Sequence, residues 1–278
     1  MPPSISAVIP TYRRHAQLKS AVQSAISQSF EGDLDIIVVD DNPPDSEIFA
    51  QNRAMLARDF PQVRHIANDQ PRGGGGARNC GILAARGEWI AFLDDDDTWL
   101  PGKLSRQWQL AARVAENVAC IDTGFFELDE ASGTQTAVLP KLQGEIFADL
   151  LVKHNGRAPK LSTLICRRDA LIAVGMFDKD LPSRQDIDLY LRLARQFHFA
   201  SVPEPLAVKH LHAGERISTN PGKKIAGFEM FLKKYAEDFR ARPDLYRIFQ
   251  RQFAKRLYRA GRYASAARVL MKSLMRFP

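Results

Sequence analysis

Residues 89–99 read WIAFLDDDDTW: a short apolar run that ends in four consecutive aspartates, Asp94 to Asp97. A bounded apolar run of this length predicts a buried strand. Four like charges directly after it repel and raise one another's pKa values. A divalent cation removes that cost, because carboxylate oxygens are hard ligands suited to Mg²⁺ or Mn²⁺. In open α/β sheets, ligands collect beyond the carboxyl ends of the strands. The stretch therefore points to metal or diphosphate binding; the competing reading is a solvated acidic turn that caps the next helix.

Working outward, the preceding residues repeat the same grammar. Residues 4–10 (SISAVIP) and 34–39 (LDIIVV) predict two more strands, the second a near-continuous β-branched run as in a buried parallel strand. Residues 16–29 have helical spacing, with Leu18, Val22, Ala25 and Ile26 on one side. A helix over 48–59 and a short strand over 63–66 follow. Strand–helix alternation of this kind predicts a parallel sheet with helices on both faces. The second strand ends in Asp40 and Asp41, followed by Asn42, Pro43 and Pro44. A carboxylate there either accepts hydrogen bonds from a ribose or base, or closes an Asx-turn. Residues 72–79 (RGGGGARN) predict a glycine-rich loop over 72–76 and a helix over 79–85. The order is neither GxGxxG nor GxxxxGK[ST], which excludes a dinucleotide fingerprint and a P-loop. Arg78 is placed either to pair with a phosphate or to salt-bridge the aspartates.

Beyond residue 100 the rhythm changes. Residues 120–128 and 161–167 predict strands, and 134–142 an antiparallel or edge element. Residues 168–174, 187–196 and 225–235 predict helices, and 245–275 is helical with a break at Gly261. The formal charge of +7 is concentrated at the end: residues 240–278 hold 11 Lys or Arg against one acid, Asp244. Tyr246, Phe249, Phe253 and Leu257 form one helical stripe there, and Tyr263, Ala267, Leu270 and Leu274 a second. This basic hairpin has two readings, contact with an anionic membrane surface or packing on the rest of the chain. No reader motif accompanies the charge, so nucleic acid is not an expected partner. No stretch reaches 18 apolar residues. The N-terminus lacks the basic start of a signal peptide. Cys80, Cys120 and Cys166 form no CxxC pair, which favours a reducing compartment and a cytoplasmic location.

Together these segments resemble family 2 glycosyltransferases of the GT-A fold. SAVIPTYRR is similar to the family's first strand and its turn near the nucleotide. IIVVDDNPPD is similar to the second strand, with Asn42, Pro43 and Pro44 in place of the usual small residues. GGARNCGILAARGEWIAFLDDDDTWLPGKL resembles the block that ends in Asp-x-Asp. SRQDIDLYLRL resembles the segment of the catalytic base, with Gln185 where Glu is usual. EPLAVKHLHAGERIS resembles a segment with a histidine near metal and diphosphate.

The resemblance implies an α/β GT-A fold with a mostly parallel central sheet flanked by helices. It implies a catalytic domain over 1–220, with a nucleotide-binding half over 1–100 and an acceptor-binding half over 101–220, then a basic helical extension over 221–278. It implies inverting transfer from a nucleoside-diphosphate sugar, UDP-sugar first, to a saccharide or lipid-linked acceptor in bacterial polysaccharide assembly. Pro10, Thr11, Tyr12, Asp40, Asp41, Arg78, Asp94 and Asp95 would contact the donor. Asp96, Asp94 and His212 would hold Mn²⁺ or Mg²⁺, and Asp186 would be the base. The rival functions are a sugar-phosphate nucleotidyltransferase and a catalytically degenerate sugar- or partner-binding domain.

Overall fold

A computed structural model describes residues 4–68, 73–152, 158–211 and 221–274. The first half alternates strand and helix as expected: β1 (Ser4–Thr11), α1 (His15–Ile26), β2 (Asp33–Asp40), α2 (Glu47–Asp59), β3 (Arg64–Ala67), α3 (Gly73–Ala84) and β4 (Trp89–Phe92). Then come β5 (Asp97–Trp99), α4 (Lys103–Ala111), β6 (Val118–Asp129), β7 (Gln135–Val138), α5 (Phe147–Val152), β8 (Ile165–Arg167), α6 (Arg168–Ala173), α7 (Gln185–Ala194) and β9 (His198–Leu211). The chain closes with α8 (Pro221–Lys234), α9 (Ala236–Ala241), α10 (Pro243–Arg259) and α11 (Tyr263–Leu274).

The described strands form one sheet in the order β3-β2-β1-β4-β8-β6-β9-β5, with β7 on β6. β3, β2, β1 and β4 are mutually parallel. β8 runs antiparallel to both β4 and β6, and β9 returns parallel to β6. Thr11 pairs with Asp40, so the ends of β1 and β2 lie side by side. Strand alternation sends Ile5, Ala7, Ile9, Ile36, Val38, Trp89 and Ala91 to one face, where α1, α2 and α4 cover them. Val8, Ile37, Val39, Ile90 and Phe92 face the other side, beneath α3, α5, α6 and α7. Coverage on both faces is why these strands read as continuous apolar runs.

Two local expectations are corrected. The glycine-rich stretch is not a loop: Gly73 to Gly76 form the first turn of α3. The missing side chains of Gly75 and of Gly81, further along α3, serve packing. A Cβ on Gly81 would meet Val8 Cγ1 at 2.3 Å, and one on Gly75 would meet Gln185 Oε1 at 2.8 Å. The 161–167 segment is a 3₁₀ turn, Leu161–Thr163, followed by the three-residue β8. In the same region Cys120 and Cys166 stand opposite each other on β6 and β8 as free thiols, their sulfurs 3.1 Å apart.

The stripe of α10 packs inward. Tyr246, Phe249, Phe253 and Leu257 are buried in the same core that contains Leu189 and Leu191 of α7 and Leu150 of α5. Phe228 stacks on Phe253 at 5.4 Å and Phe231 on Phe249 at 5.6 Å. Each such ring removed from water contributes about 1.5–3 kcal/mol. The packing reading of the stripe therefore holds for α10. No described helix is long and apolar enough to cross a membrane.

Candidate active site

The carboxyl ends of β1, β2 and β4 open on one edge of the sheet, and the candidate residues gather there. The four aspartates after β4 do not share one environment. The chain turns, with the Asp97 N–H donating to the Asp94 carbonyl (3.0 Å), and burial alternates along it. Asp95 and Asp97 are buried, at 5% and 6% exposure, while Asp94 keeps 34% of its side chain in contact with solvent.

Asp95 binds the first strand to the fourth. It accepts from the Thr11 hydroxyl (2.8 Å), the Tyr12 N–H (3.4 Å) and the Arg14 guanidinium (2.9 Å). Burial pushes its pKa up to about 6 against the opposing pull of Arg14 and Thr11. Arg14 also pairs with Asp96 at 2.6 Å. Asp97 accepts from Ser162 Oγ (2.5 Å), and the same Oγ accepts from the Asp94 N–H (3.1 Å). Burial, then the charge of Asp94, pushes Asp97 up to about 8. Oxygens of Asp94, Asp96 and Asp97 all lie within 4.8 Å of one another. A donor set of three hard oxygens fits Mg²⁺ or Mn²⁺.

Other expected residues fall around this cluster. Pro10 is buried near the end of β1, and Tyr12 is 45% exposed with the Arg13 guanidinium 4.9 Å from its ring. Arg13 adopts φ 58°, which fixes the sharp turn after β1. Asp40 is wholly enclosed. It accepts from Asn42 N–H (3.0 Å), Asn42 Nδ2 (2.7 Å) and Asn52 Nδ2 (2.8 Å), and meets His65 Nε2 at 3.3 Å. Burial alone would raise its pKa; the bonds from His65, Asn52 and Asn42 hold it below the usual carboxylate range. Asn42 in turn accepts from the Arg13 N–H (3.0 Å), so Asp40 shapes the turn from behind. Asp41 accepts from Asn68 Nδ2 (2.6 Å) and from the Gly73 N–H (3.1 Å), tying the β2 end to the start of α3.

Of the two roles open to Arg78, the structure shows the salt bridge: its Nη2 donates to Asp94 Oδ1 at 2.5 Å. Arg78 also lines a cleft of about 650 Å³, together with Gly73, Gly74, Gln185 and Asp186. Asp186 sits in the first turn of α7 and accepts only its neighbour's Ile187 N–H among its described bonds (2.8 Å). The N-cap position belongs to Arg184, in the left-handed region at φ 67°. Asp186 is therefore not the helix cap and presents its carboxylate to the cleft. Two residues on, Asp188 is buried and anchors the helix. It takes Arg192 (2.8 Å), Tyr235 Oη (2.8 Å) and Lys234 (2.7 Å).

His212 lies outside the described residues. β9 reaches Leu211 and pairs antiparallel with β5, setting Lys209 opposite Asp97. His210 meets Thr98 Oγ1 (3.2 Å) and Glu130 Oε1 (2.6 Å). Arg14 and Ser162 belong to the cluster and were not singled out from sequence, and Asp97 was read only as one of the four aspartates, with no role of its own. The second arginine of TYRR carried a local hint; Ser162, 65 residues from Asp97, carried none.

One sheet covered by helices on both faces, with an acidic turn at the carboxyl edge of its parallel strands, is the architecture of a GT-A glycosyltransferase. The chain belongs to the family described as Glycosyl transferase family 2, matched over residues 6–189. It is 32% identical over 250 residues to the Succinoglycan biosynthesis protein ExoO of Rhizobium meliloti, covering 85% of this chain and 70% of that protein. The fold resembles the mannosyltransferase PcManGT from Pyrobaculum calidifontis, solved with GDP-Man and Mn²⁺. The TM-score is 0.62 at 16% identity, covering 99% of this chain and 76% of that one. It also resembles S. aureus TarS 1-349, solved with UDP-GlcNAc: TM-score 0.60, 18% identity, and coverage of 98% and 72%.

Proposed function

We propose that the protein transfers a sugar from a nucleoside-diphosphate donor, UDP-linked first among them, to a hydroxyl of a saccharide or lipid-linked acceptor, with inversion. The observation that carries this is the position of Arg78, which bonds Asp94 of the acidic cluster and lines the cleft that holds Asp186. Base and leaving-group sites thus adjoin. The donor's base and ribose fit the edge made by Thr11, Tyr12 and Asp41, while Asp40 and Asp95 hold that edge in shape.

Asp186 takes the proton of the acceptor hydroxyl. The hydroxyl oxygen then attacks the anomeric carbon from the side opposite the diphosphate, whose bond to that carbon breaks with its electron pair. Asp94, Asp96 and Asp97 would hold Mg²⁺ or Mn²⁺, which supplies charge stabilisation to the leaving diphosphate; His212 is a further candidate ligand. Calorimetric titration with UDP, GDP, dTDP and CDP, with and without Mn²⁺, tests the donor site. Selective, metal-dependent binding of one is expected, and no binding of any would overturn it. Asp186→Asn should retain that binding and abolish transfer; near-normal turnover would refute the base.

A second surface bears on where the reaction takes place. Tyr258, Tyr263, Leu270 and Met271 of α10 and α11 are exposed among Arg259, Arg262, Arg268 and Lys272. Aromatic and cationic side chains in this mixture suit an anionic bilayer surface. Cosedimentation with phosphatidylglycerol vesicles, lost in high salt and absent with phosphatidylcholine, is the expected result; equal recovery with both lipids would refute it.

A further inference from the structure

The wall around Asp186 carries more positive charge than an uncharged sugar acceptor requires. Lys160, Lys179, Lys224 and Arg256 all line the cleft, and Asp186 is the sole acid among its described lining residues. None of those four cations has a carboxylate within ion-pair distance among the described residues. Lys223 and Arg184 add charge to the same wall. The segments outside the described residues contain two acids, Asp69 and Glu215, too few to neutralise it.

The cations are held where their charge costs free energy. Lys160, Lys224 and Arg256 are half-buried. Burial, then the charge of Arg256, lowers the pKa of Lys224; burial, then Lys209, lowers that of Lys160. Arg256 is fixed over the Phe228 ring at 5.0 Å. Pro159, Leu181 and Phe228 give the cleft apolar walls, which strengthen attraction for an opposite charge. None of Asp94, Asp96 and Asp97 lines the cleft, so this charge stands apart from the acidic cluster that Arg78 adjoins.

We propose that this cationic cleft binds an acceptor that carries a phosphate or diphosphate group, held by Lys160, Lys224 and Arg256 while its hydroxyl reaches Asp186. The proposal rests on the glycosyltransferase reading above and names the chemical class of its second substrate. It also gives the C-terminal helices a part in substrate choice, since Lys224 and Arg256 belong to α8 and α10.

The test is a ³¹P NMR titration of the full chain with inorganic phosphate and with glucose 1-phosphate, glucose serving as the uncharged control. Each is measured alone and again with UDP and Mg²⁺ at saturation. Both phosphates should bind, glucose should not compete with them, and bound UDP should leave their affinity largely unchanged. Lys224→Ala and Lys160→Gln should each weaken phosphate binding by about tenfold or more, the cost of one charge-assisted hydrogen bond. Unchanged affinity in both variants would overturn the proposal, as would displacement of phosphate by UDP, which would assign the cations to the donor's diphosphate. If UDP itself does not bind, the donor reading falls, and the two variants still decide the phosphate site.

Discussion

Replacing Asp188 with alanine should loosen the joint between α7 and the C-terminal helices, and the structure sets how much. The side chain is 0% exposed and accepts from Arg192 Nε (3.0 Å), Arg192 Nη2 (2.8 Å) and Tyr235 Oη (2.8 Å), with Lys234 at 2.7 Å. Stripping one partner from a buried ion pair costs about 3–5 kcal/mol when the other charge is stranded. Here each partner has a second acceptor. Arg192 keeps the carbonyls of Val174 and Met176, Lys234 keeps Asp178, and Tyr235 keeps the Asp188 carbonyl. We therefore expect a loss just below that range, about 2–3 kcal/mol, or a fall in Tm of about 3–5 °C for a chain of this size. Differential scanning calorimetry reads the first quantity. Asp188→Asn, which keeps an acceptor, should lose about half as much. Because Asp188 is in the same helical turn as Asp186, kcat should drop while UDP affinity is retained. A Tm within about 2 °C of wild type for Asp188→Ala would refute the view that this carboxylate anchors the joint.

Three further outcomes are expected. Gly81→Ala places a Cβ 2.3 Å from Val8 Cγ1 and should cost about 1–3 kcal/mol by forcing α3 off the sheet, read by urea denaturation. Asp96→Ala should weaken metal-dependent nucleotide binding by tenfold or more on the order of magnitude of one lost charged ligand, whereas Asp95→Asn should weaken it less and lower Tm, both by calorimetry. Lys103 is wholly buried against Gln107 (2.7 Å) and over the Trp99 ring (4.5 Å), and burial pushes its pKa down to about 7 despite the nearby charge of Asp122. Its pKa is lower folded than unfolded, so the unfolded chain binds more protons between about 7 and 10.4, and this group's contribution to stability rises with pH across that window. Lys103→Met should therefore compare best with wild type near pH 6 and worst near pH 10, and a pH-independent difference in Tm would refute the assignment.

The parallel half of the sheet was legible because strands covered on both faces must be apolar at nearly every position, as in LDIIVV and WIAF. The acidic cluster was legible as a cluster, but not in its parts. Four identical residues give no sign of which turn inward, and only the turn at Asp94 shows that Asp95 and Asp97 do. The start of α3 was hidden because glycine disfavours helix. What outweighs that preference is the close approach of α3 to Val8 and Gln185, elements distant in sequence. Asp40 was read as either ligand contact or turn former, and its enclosure by Asn42, Asn52 and His65 favours the turn. The α10 stripe looked the same on paper for lipid and for protein, because amphipathic spacing does not name the surface it meets. Its partners, Arg184 and the rings of α8, are brought to it only by the fold.

The shared core of α5, α7 and α10 also constrains how the protein comes into being. Arg184, next to the segment that carries the base, is clasped by Phe228, Phe231 and Phe249 at 4.4, 4.1 and 5.4 Å. Gln252 donates to the Val152 carbonyl from 100 residues away. On a ribosome, which releases the chain from its N-terminus, β1 to β4 can assemble early, but the platform under Asp186 is incomplete until α10 has emerged. A nascent chain halted at the end of α7 would carry every acidic residue of the cluster and leave its α7 face bare, a surface for chaperones to cover until synthesis has passed Phe253.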